Sequence, residues 1–302
     1  MYYYSLNEYL KQTFGEKVYK ISLNGSMTCP NRDGVCGTQG CIFCSAGGSG
    51  EFSASSALPV SEQLEDAKRR IMQKTDCKRF IAYFQPFTNT YAPVSRLREL
   101  FYEAIKPDDI AALSIATRPD CLGDDVISLL DELNRIKPVW VELGLQTIHP
   151  KSAEYIRRGY PLEIYDSACE RLHKIGVNVI THIILGLPGE TKEDTIQSAR
   201  YAGERSDGIK LQLLHVLRGT DLYEEYSTGK IRTLSLEEYI DILCGCIEAL
   251  PPDVVIHRLT GDGDKKLLVA PLWSGDKKNV LNSIQKALRD RNVTQGAKYK
   301  ID

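Results

Sequence analysis

The segments PVWVELGLQ (138–146), LEIYDSACERLHKI (162–175) and VNVITHIILG (177–186) decide the fold class. The first and third are short and almost continuously apolar, which is typical of strands buried on both faces of a parallel sheet. The middle segment repeats apolar residues at helical spacing. A strand, a helix and a second strand form a right-handed βα crossover. This stretch therefore predicts an α/β fold.

The same alternation extends in both directions along the chain. Predicted strands cover residues 18–24, 79–85, 110–118, 138–146, 177–186 and 208–217, and predicted helices cover 59–74, 94–105, 124–136, 162–175 and 191–206. Six such units in a row predict a partial (β/α)6 barrel of the TIM type, with every strand's carboxyl end at one rim. Thr191 with Asp194 and Ser235 with Glu238 have capping-box spacing and predict two helix starts.

The pattern changes after the sixth strand and predicts three regions. Residues 1–18 are an N-terminal extension, 19–218 the barrel core and 219–302 a short C-terminal extension. The last region holds helices at 220–227 and 234–250, one further strand at 253–259 and a basic tail. The polar residues that flank this strand are expected to close the open side of the barrel or to touch the substrate: His257, Arg258, Thr260 and Asp262.

Composition excludes several classes of protein. The 302 residues are 42% hydrophobic and 26% charged, and the net charge of −2 is not that of a globally basic nucleic-acid binder. No apolar run reaches the roughly 20 residues of a membrane span. The start lacks the basic and apolar regions of a signal peptide, so we expect a cytoplasmic protein. Its nine cysteines are then not expected to form disulfides.

A cysteine cluster, CPNRDGVCGTQGCIFC (29–44), follows the first strand at the catalytic rim. Cys41 and Cys44 form a CxxC pair that can reach one metal centre. Eleven residues, rich in turn formers, separate Cys29 from Cys41 and form a loop that lets the third thiolate fold back. Three thiolates leave one iron of a [4Fe–4S] cluster open to a ligand.

The cysteine spacing leaves alternatives. Cys36, Cys41 and Cys44 form a C-x4-C-x2-C set that could hold the same cluster. All four cysteines could instead form a tetrahedral zinc site, although only one CxxC pair is present. A redox-active CxxC is the third alternative.

Five motifs add a family resemblance, each at the carboxyl end of a predicted strand. They are Cys29-Pro30 with Cys41-Ile42-Phe43-Cys44, TRPD (117–120), VELGLQ (141–146), LGLPGE (185–190) and LRGTDL (217–222). Over residues 15–275 the chain resembles the radical S-adenosylmethionine (SAM) superfamily. Within it, the chain is most similar to a small bacterial group, the YhcC/YtqA-like group, related to the catalytic subunit of the elongator complex.

The resemblance implies a partial barrel of the radical SAM type and two cofactors, a [4Fe–4S] cluster and SAM. It assigns the cluster to Cys29, Cys41 and Cys44 rather than to Cys36. SAM would chelate the open iron, and one electron would cleave its sulfonium to release a 5′-deoxyadenosyl radical.

The family's Gly-Gly-Glu motif after strand two, which meets the SAM amino group, is absent. Gln85 or Asn89 is expected to supply the acceptor instead. Arg118 suits the SAM carboxylate because guanidinium binds carboxylates through two hydrogen bonds. The alternative for Arg118 is a structural ion pair with Asp120.

Further SAM-binding candidates lie on strands four to six. Glu142 and Gln146 are expected to bind the ribose hydroxyls or the ammonium, or else to plug the barrel as a polar pair. His182 faces either the lumen or the core, and Gly186 permits close approach of the adenine. On strand six, period-two facing puts Gln212 on the same side as Lys210, with His215 on the other.

Basic residues are candidates for nucleic-acid contacts. Lys17, Lys20 and Arg32 lie near the cysteine loop, and Lys277 and Lys278 begin the basic tail. An ordinary solvated face is the alternative.

The resemblance points to tRNA as the substrate and to the C5 substituent of the wobble uridine as the target. It implies conversion of carboxymethylaminomethyl-uridine to aminomethyl-uridine, with electrons from a reducing protein such as flavodoxin or ferredoxin. The alternatives are a radical SAM enzyme for a small metabolite and a zinc-binding nucleic-acid adaptor without catalysis. The oligomeric state is left open.

Overall fold

A computed structural model describes residues 2–48, 50, 53, 55–261 and 263–300. The strands are β1 Val18–Leu23, β2 Arg79–Phe84, β3 Ile110–Thr117, β4 Val139–Gln146, β5 Asn178–Leu185, β6 Gly208–Leu213, β7 Val216–Leu217, β8 Val255–Arg258 and β9 Leu268–Ala270. The helices are α1 Leu6–Phe14, α2 Val60–Met72, α3 Val94–Ile105, α4 Asp124–Asn134, α5 Pro150–Tyr155, α6 Leu162–Lys174, α7 Lys192–Gly203, α8 Asp221–Ser227, α9 Leu236–Ala249 and α10 Lys277–Asp290.

Seven parallel strands form one sheet in the order β1-β2-β3-β4-β5-β6-β8. The sheet curls into a half-barrel, which confirms the predicted partial barrel of six βα units. The seventh strand, β8, comes from the C-terminal extension and pairs with β6 through Gly208 and Val255. On the outer edge of β8, Ile256 donates its backbone N–H to the Tyr4 carbonyl at 2.8 Å. The N-terminal segment thus covers the last strand's free edge.

The outer face of the sheet is covered by helices. Every residue of β3 is buried, as expected for a strand with one face on the helices and one face on the lumen. Leu97 and Phe101 of α3 are fully buried against this face, and Phe101 meets Phe84 edge-to-face at 5.1 Å. The capping boxes predicted at Thr191 and Ser235 are confirmed, and they fix the starts of α7 and α9.

The inner face encloses a lumen whose amino end is filled. Apolar side chains of β1 to β5 form a cluster there with Leu6, Tyr9, Leu10 and Phe14 of α1. Helix α1, which the sequence pattern did not predict, plugs this end of the half-barrel. The lumen therefore opens only toward the carboxyl ends of the strands in the part of the chain that is described. Among the described helices, none has the length and apolar character to cross a bilayer.

Candidate active site in the barrel lumen

A cavity of about 270 Å³ lies at the carboxyl ends of the strands. One wall is the loop between β1 and α2, with the thiols of Cys29, Cys41 and Cys44. The opposite side is formed by inward-facing residues of the strands, and the outer edge by loops that follow β6 and β8. A barrel of parallel strands places its reactive side chains at this rim.

The cysteine loop is held by hydrogen bonds to its own backbone. The Cys44 N–H donates to the Cys41 carbonyl at 3.0 Å. Arg32 donates to the carbonyls of Cys44 and Ser45 at 3.0 and 2.6 Å, so one guanidinium ties the start of the loop to its end. These contacts keep three thiols on the cavity wall, whereas Cys36 is exposed and lies outside it.

The surroundings of the Cys41 thiol disfavour its thiolate form when no cation is near. Burial raises the pKa of Cys41 to about 11, the Cys44 sulfur raises it further, and the amide of Asn31 lowers it. A cationic centre would offset this, because metal ligation deprotonates thiols. Three thiols on one wall fit a three-cysteine cluster, and the exposed Cys36 does not fit a four-cysteine zinc site. No three His, Cys, Asp or Glu side chains of the described residues are close enough to bind a single metal ion.

A second polar group fills the middle of the lumen, and we call it the lumen cluster. It consists of Lys20, Tyr83, Ser114, Glu142, His182, Lys210 and Arg258, and all but Lys20 and Ser114 line the cavity. At its centre, Glu142 is 1% exposed.

Both oxygens of Glu142 are used within the cluster. Lys20 and Ser114 donate to Oε1 at 2.5 and 2.7 Å, and His182 donates to Oε2 at 2.8 Å. Lys210 also donates to Oε2. Protein donors occupy both oxygens of the Glu142 carboxylate, which matches the alternative of a polar group that plugs the barrel. The structure therefore does not place Glu142 as a ligand for the SAM ribose.

Burial and charge set the protonation states of the lumen cluster. Burial raises the pKa of Glu142, but Lys20 and Lys210 outweigh it and hold that pKa well below its usual range. Burial lowers the pKa of His182 to about 4 and that of Lys210 to about 7, with the attraction of Glu142 opposing both shifts. These shifts favour a neutral His182 and weaken the hold of Lys210 on its proton.

Four of the predicted SAM-binding residues line the cavity beside the cluster. They are Gln85, Arg118, Gln146 and Gln212. Gln146 has a left-handed backbone with φ of 69°, and its buried Oε1 has no hydrogen-bond partner among the described residues. Such an orphaned acceptor fits an ammonium or hydroxyl of a bound ligand. Arg118 instead makes two hydrogen bonds to Asp120 at 2.9 and 2.7 Å, which is the structural ion pair given as the alternative.

Two other predicted SAM ligands, Asn89 and Gly186, do not line this cavity. The Asn89 amide donates to the carbonyls of Phe84, Pro86 and Ala116 at 2.9–3.1 Å, so it anchors the loop after β2. Gly186 has a φ of 90°, and a Cβ there would lie 2.8 Å from the side chain of Leu234. The turn and the close approach of Leu234 both favour glycine at this position.

The five basic candidates for nucleic-acid contacts do not form one patch. The ammonium of Lys20 lies in the lumen on Glu142 rather than on the surface. Arg32 holds the cysteine loop, and Lys17 is exposed at the amino end of β1, opposite the cavity. Lys277 and Lys278 are exposed at the start of α10. Lys277 borders a small pocket with residues that follow β6 and β8, on the same side of the barrel as the cavity.

Arg158 and Tyr160 were missed by the sequence analysis, although both line the cavity. The Arg158 guanidinium is buried and donates to the carbonyls of Thr147 and Tyr160 at 2.6 and 3.1 Å. It lies 4.7 Å from the Tyr160 ring centroid. Its hydrogen-bond acceptors among the described residues are backbone carbonyls, so its charge suits an anionic ligand. The segment between α5 and α6 has no periodicity that could have revealed it.

The final strand has the role expected for it, because β8 extends the sheet on its open side. Arg258 lines the cavity, whereas His257 contacts Trp140 edge-to-face at 5.7 Å. Thr260 borders the small pocket beside Lys277. Asp262 lies outside the described residues.

Comparison with known proteins identifies the class. The profile of the Radical SAM superfamily matches residues 32–202, and that of the Radical_SAM C-terminal domain matches residues 206–290. The chain therefore belongs to the radical SAM superfamily. It is 44% identical over 295 residues to protein YtqA of Bacillus subtilis, covering 97% of this chain and 92% of YtqA.

More distant relatives share the barrel. A tRNA uridine(34) acetyltransferase of Methanocaldococcus jannaschii is 30% identical over 177 residues, which cover 57% of this chain and 31% of that enzyme. The structure of Elp3 from Methanocaldococcus infernus superposes with a TM-score of 0.69 at 16% identity, covering 92% of this chain and 64% of Elp3. YtqA confirms the resemblance to the YtqA group, and the two more distant relatives support its link to elongator. Membership of the radical SAM superfamily makes the chain an enzyme.

Proposed function

We propose that this enzyme modifies tRNA at the C5 substituent of the wobble uridine and converts carboxymethylaminomethyl-uridine to aminomethyl-uridine. The observation that carries the proposal is a single cavity that joins three thiols at its rim to a buried polar floor in the lumen. The relative named for tRNA uridine 34 is similar in sequence over 177 residues, which supports a tRNA substrate.

The residues present fit the cofactors of the superfamily. Cys29, Cys41 and Cys44 would hold a [4Fe–4S] cluster, and the orphaned Gln146 oxygen and the Arg158 guanidinium would bind the ammonium and carboxylate of SAM. Bound there, the cluster and SAM supply a 5′-deoxyadenosyl radical after one-electron cleavage of the sulfonium. The protein's own part is to orient SAM at the rim, to exclude water from the lumen and to hold the substituent within reach.

The partners follow from this chemistry. A cytoplasmic reducing protein such as flavodoxin or ferredoxin would deliver the electron, and tRNA would be met in the same compartment. Lys277 and Lys278, which are exposed on the cavity side of the barrel, are the basic residues best placed to meet the tRNA backbone.

The test combines nucleoside profiling with cluster variants. A strain that lacks the gene should accumulate carboxymethylaminomethyl-uridine in its tRNA at the expense of aminomethyl-uridine, measured by mass spectrometry. Purified Cys41→Ala protein should lose bound iron and 5′-deoxyadenosine production, because only two thiolates remain. Cys36→Ala is the matched control and should keep both, since Cys36 lies outside the cavity wall. An unchanged nucleoside profile would remove the wobble-uridine assignment.

A further inference from the structure

A groove lies between the N-terminal segment and the exposed face of helix α10, and it shares no residue with the catalytic cavity. Its lining consists of one aromatic ring, two amides and two cations, which are Tyr2, Asn282, Gln285, Lys286 and Arg289. None of these five side chains is a carboxylate. Proteins bind unstacked nucleotides with such a set, because aromatic rings stack on bases, amides bond base edges and cations pair with phosphates.

Helix α10 separates an apolar face from a cationic one. Its buried residues recur every four positions and pack on the core: Val280, Ile284 and Leu288. Residues 277–289 contain no Asp or Glu, and their exposed cations are Lys277, Lys278, Lys286 and Arg289. The whole chain has a net charge of −2, so this helix is a local concentration of positive charge. A phosphate backbone is attracted to such a surface.

The aromatic side of the groove is held in place by the fold. The Tyr2 carbonyl accepts the Gln295 N–H at 2.9 Å, and the half-buried Tyr2 ring packs partly on the core. Gln285 hydrogen-bonds the Tyr3 hydroxyl, which ties α10 to the N-terminal segment. Arg289 pairs with the adjacent Asp290 at 3.3 Å, and a phosphate can replace this exposed contact at little cost.

We propose that this groove binds one unstacked nucleotide of the tRNA substrate, with its base on the Tyr2 ring and its phosphates on Lys286 and Arg289. The inference rests on the proposed function for the identity of the RNA. Helix α10 begins at Lys277 on the cavity side, and about 18 Å of helix separate Lys277 from Arg289. The groove therefore meets a part of the tRNA other than the wobble nucleotide.

An acidic protein, such as the electron donor, is the other class of partner that a cationic helix attracts. Two observations favour RNA. The groove presents an aromatic ring and the Asn282 amide beside its cations, which suits a base better than a carboxylate-rich surface. The cysteine loop follows β1, at the opposite edge of the sheet from β8, and the N-terminal segment that forms the groove lies along β8. An electron donor has to approach the cysteine loop instead.

Fluorescence anisotropy with an end-labelled tRNA transcript tests the stacking contact. Affinity is measured on cluster-containing enzyme without SAM or reductant, so no turnover occurs. Tyr2→Ala should weaken binding by about 5- to 150-fold, the range for loss of one base stacked on an aromatic ring. Tyr2→Phe should bind like the wild type, because it keeps the ring. Tyr102→Ala, which removes a half-buried tyrosine of α3, is the matched control.

The salt dependence of the same binding tests the phosphate contacts. The double variant Lys286→Gln with Arg289→Gln should weaken binding and reduce the slope of log affinity against log salt concentration by roughly 1 to 2. Lys74→Gln with Lys78→Gln changes the net charge equally at two exposed lysines between α2 and β2. This matched control should keep the wild-type slope.

The outcomes separate the groove from the proposed function. Wild-type affinity in Tyr2→Ala would refute the nucleotide site, even if the cation variant bound weakly, since that pattern describes a general electrostatic surface. Unchanged tRNA affinity but lost flavodoxin binding in the cation variant would assign α10 to the electron donor. Absence of tRNA binding by the wild type would also refute the groove. An unchanged nucleoside profile together with Tyr2-dependent affinity would instead remove the wobble-uridine assignment and keep the groove.

Discussion

Replacing Glu142 by Gln tests whether the lumen cluster is held by charge. The variant keeps the side chain's size but leaves the ammoniums of Lys20 and Lys210 without their shared carboxylate. Breaking a buried ion pair by removing one partner costs about 3–5 kcal/mol. For a chain of this length, each kcal/mol lowers the melting temperature by roughly 2 °C, so we expect a drop of roughly 6–10 °C.

The loss should depend on pH in a defined direction. Folded wild-type protein keeps Lys210 protonated up to about pH 7, because Glu142 partly offsets the effect of burial. Without that carboxylate, the folded variant releases the proton at lower pH, whereas the unfolded chain retains it. The variant's free energy of unfolding therefore begins to rise at a lower pH than that of the wild type. The difference between them should be largest in mildly acidic buffer and constant above about pH 7.

Thermal unfolding followed by circular dichroism measures both effects. Glu132→Gln is the matched control, because Glu132 pairs with Arg98 on an exposed helix surface, and it should melt close to the wild type. Replacing the three charges together, as Lys20→Met with Glu142→Leu and Lys210→Met, should recover much of the loss, since neither ammonium is then left without its shared carboxylate. An unchanged melting temperature for Glu142→Gln at every pH would refute the view that this carboxylate balances the two lysines.

Two further predictions concern the backbone. Gly186→Ala should lower stability by about 1–3 kcal/mol in denaturant unfolding, because φ is 90° and the new Cβ meets Leu234; an effect below that range would mean the turn relaxes. Ser235→Ala should cost about 1 kcal/mol, because it removes the capping box of α9, and Ser235→Asp should restore most of this. Equal stability of the Ala and Asp variants would show that the cap contributes nothing.

Local patterns in the sequence were enough to predict the barrel. The run IAALSIAT is apolar throughout, and a strand of that kind needs cover on both faces, so the parallel α/β arrangement follows. The spacing of Lys210 and Gln212 predicted that they share a face, and both line the cavity. His215 was assigned to the opposite face but also lines the cavity, because β6 ends at Leu213 and the period of two ends with it.

Only the tertiary structure decided which polar side chains meet. Lys20 and Glu142 are 122 residues apart, and hydropathy cannot show that a lysine in a mostly apolar strand faces a lumen rather than solvent. Arg158 reaches the cavity from a connection without periodicity, and β8 brings Arg258 to the floor from a region outside the six predicted units. The sequence alone predicted the strands and the rim, because each depends on neighbours in the chain, whereas the choice of Cys29 over Cys36 came from the family resemblance. The charge balance of the lumen depends on how the sheet curls, and that curvature is a property of the folded molecule.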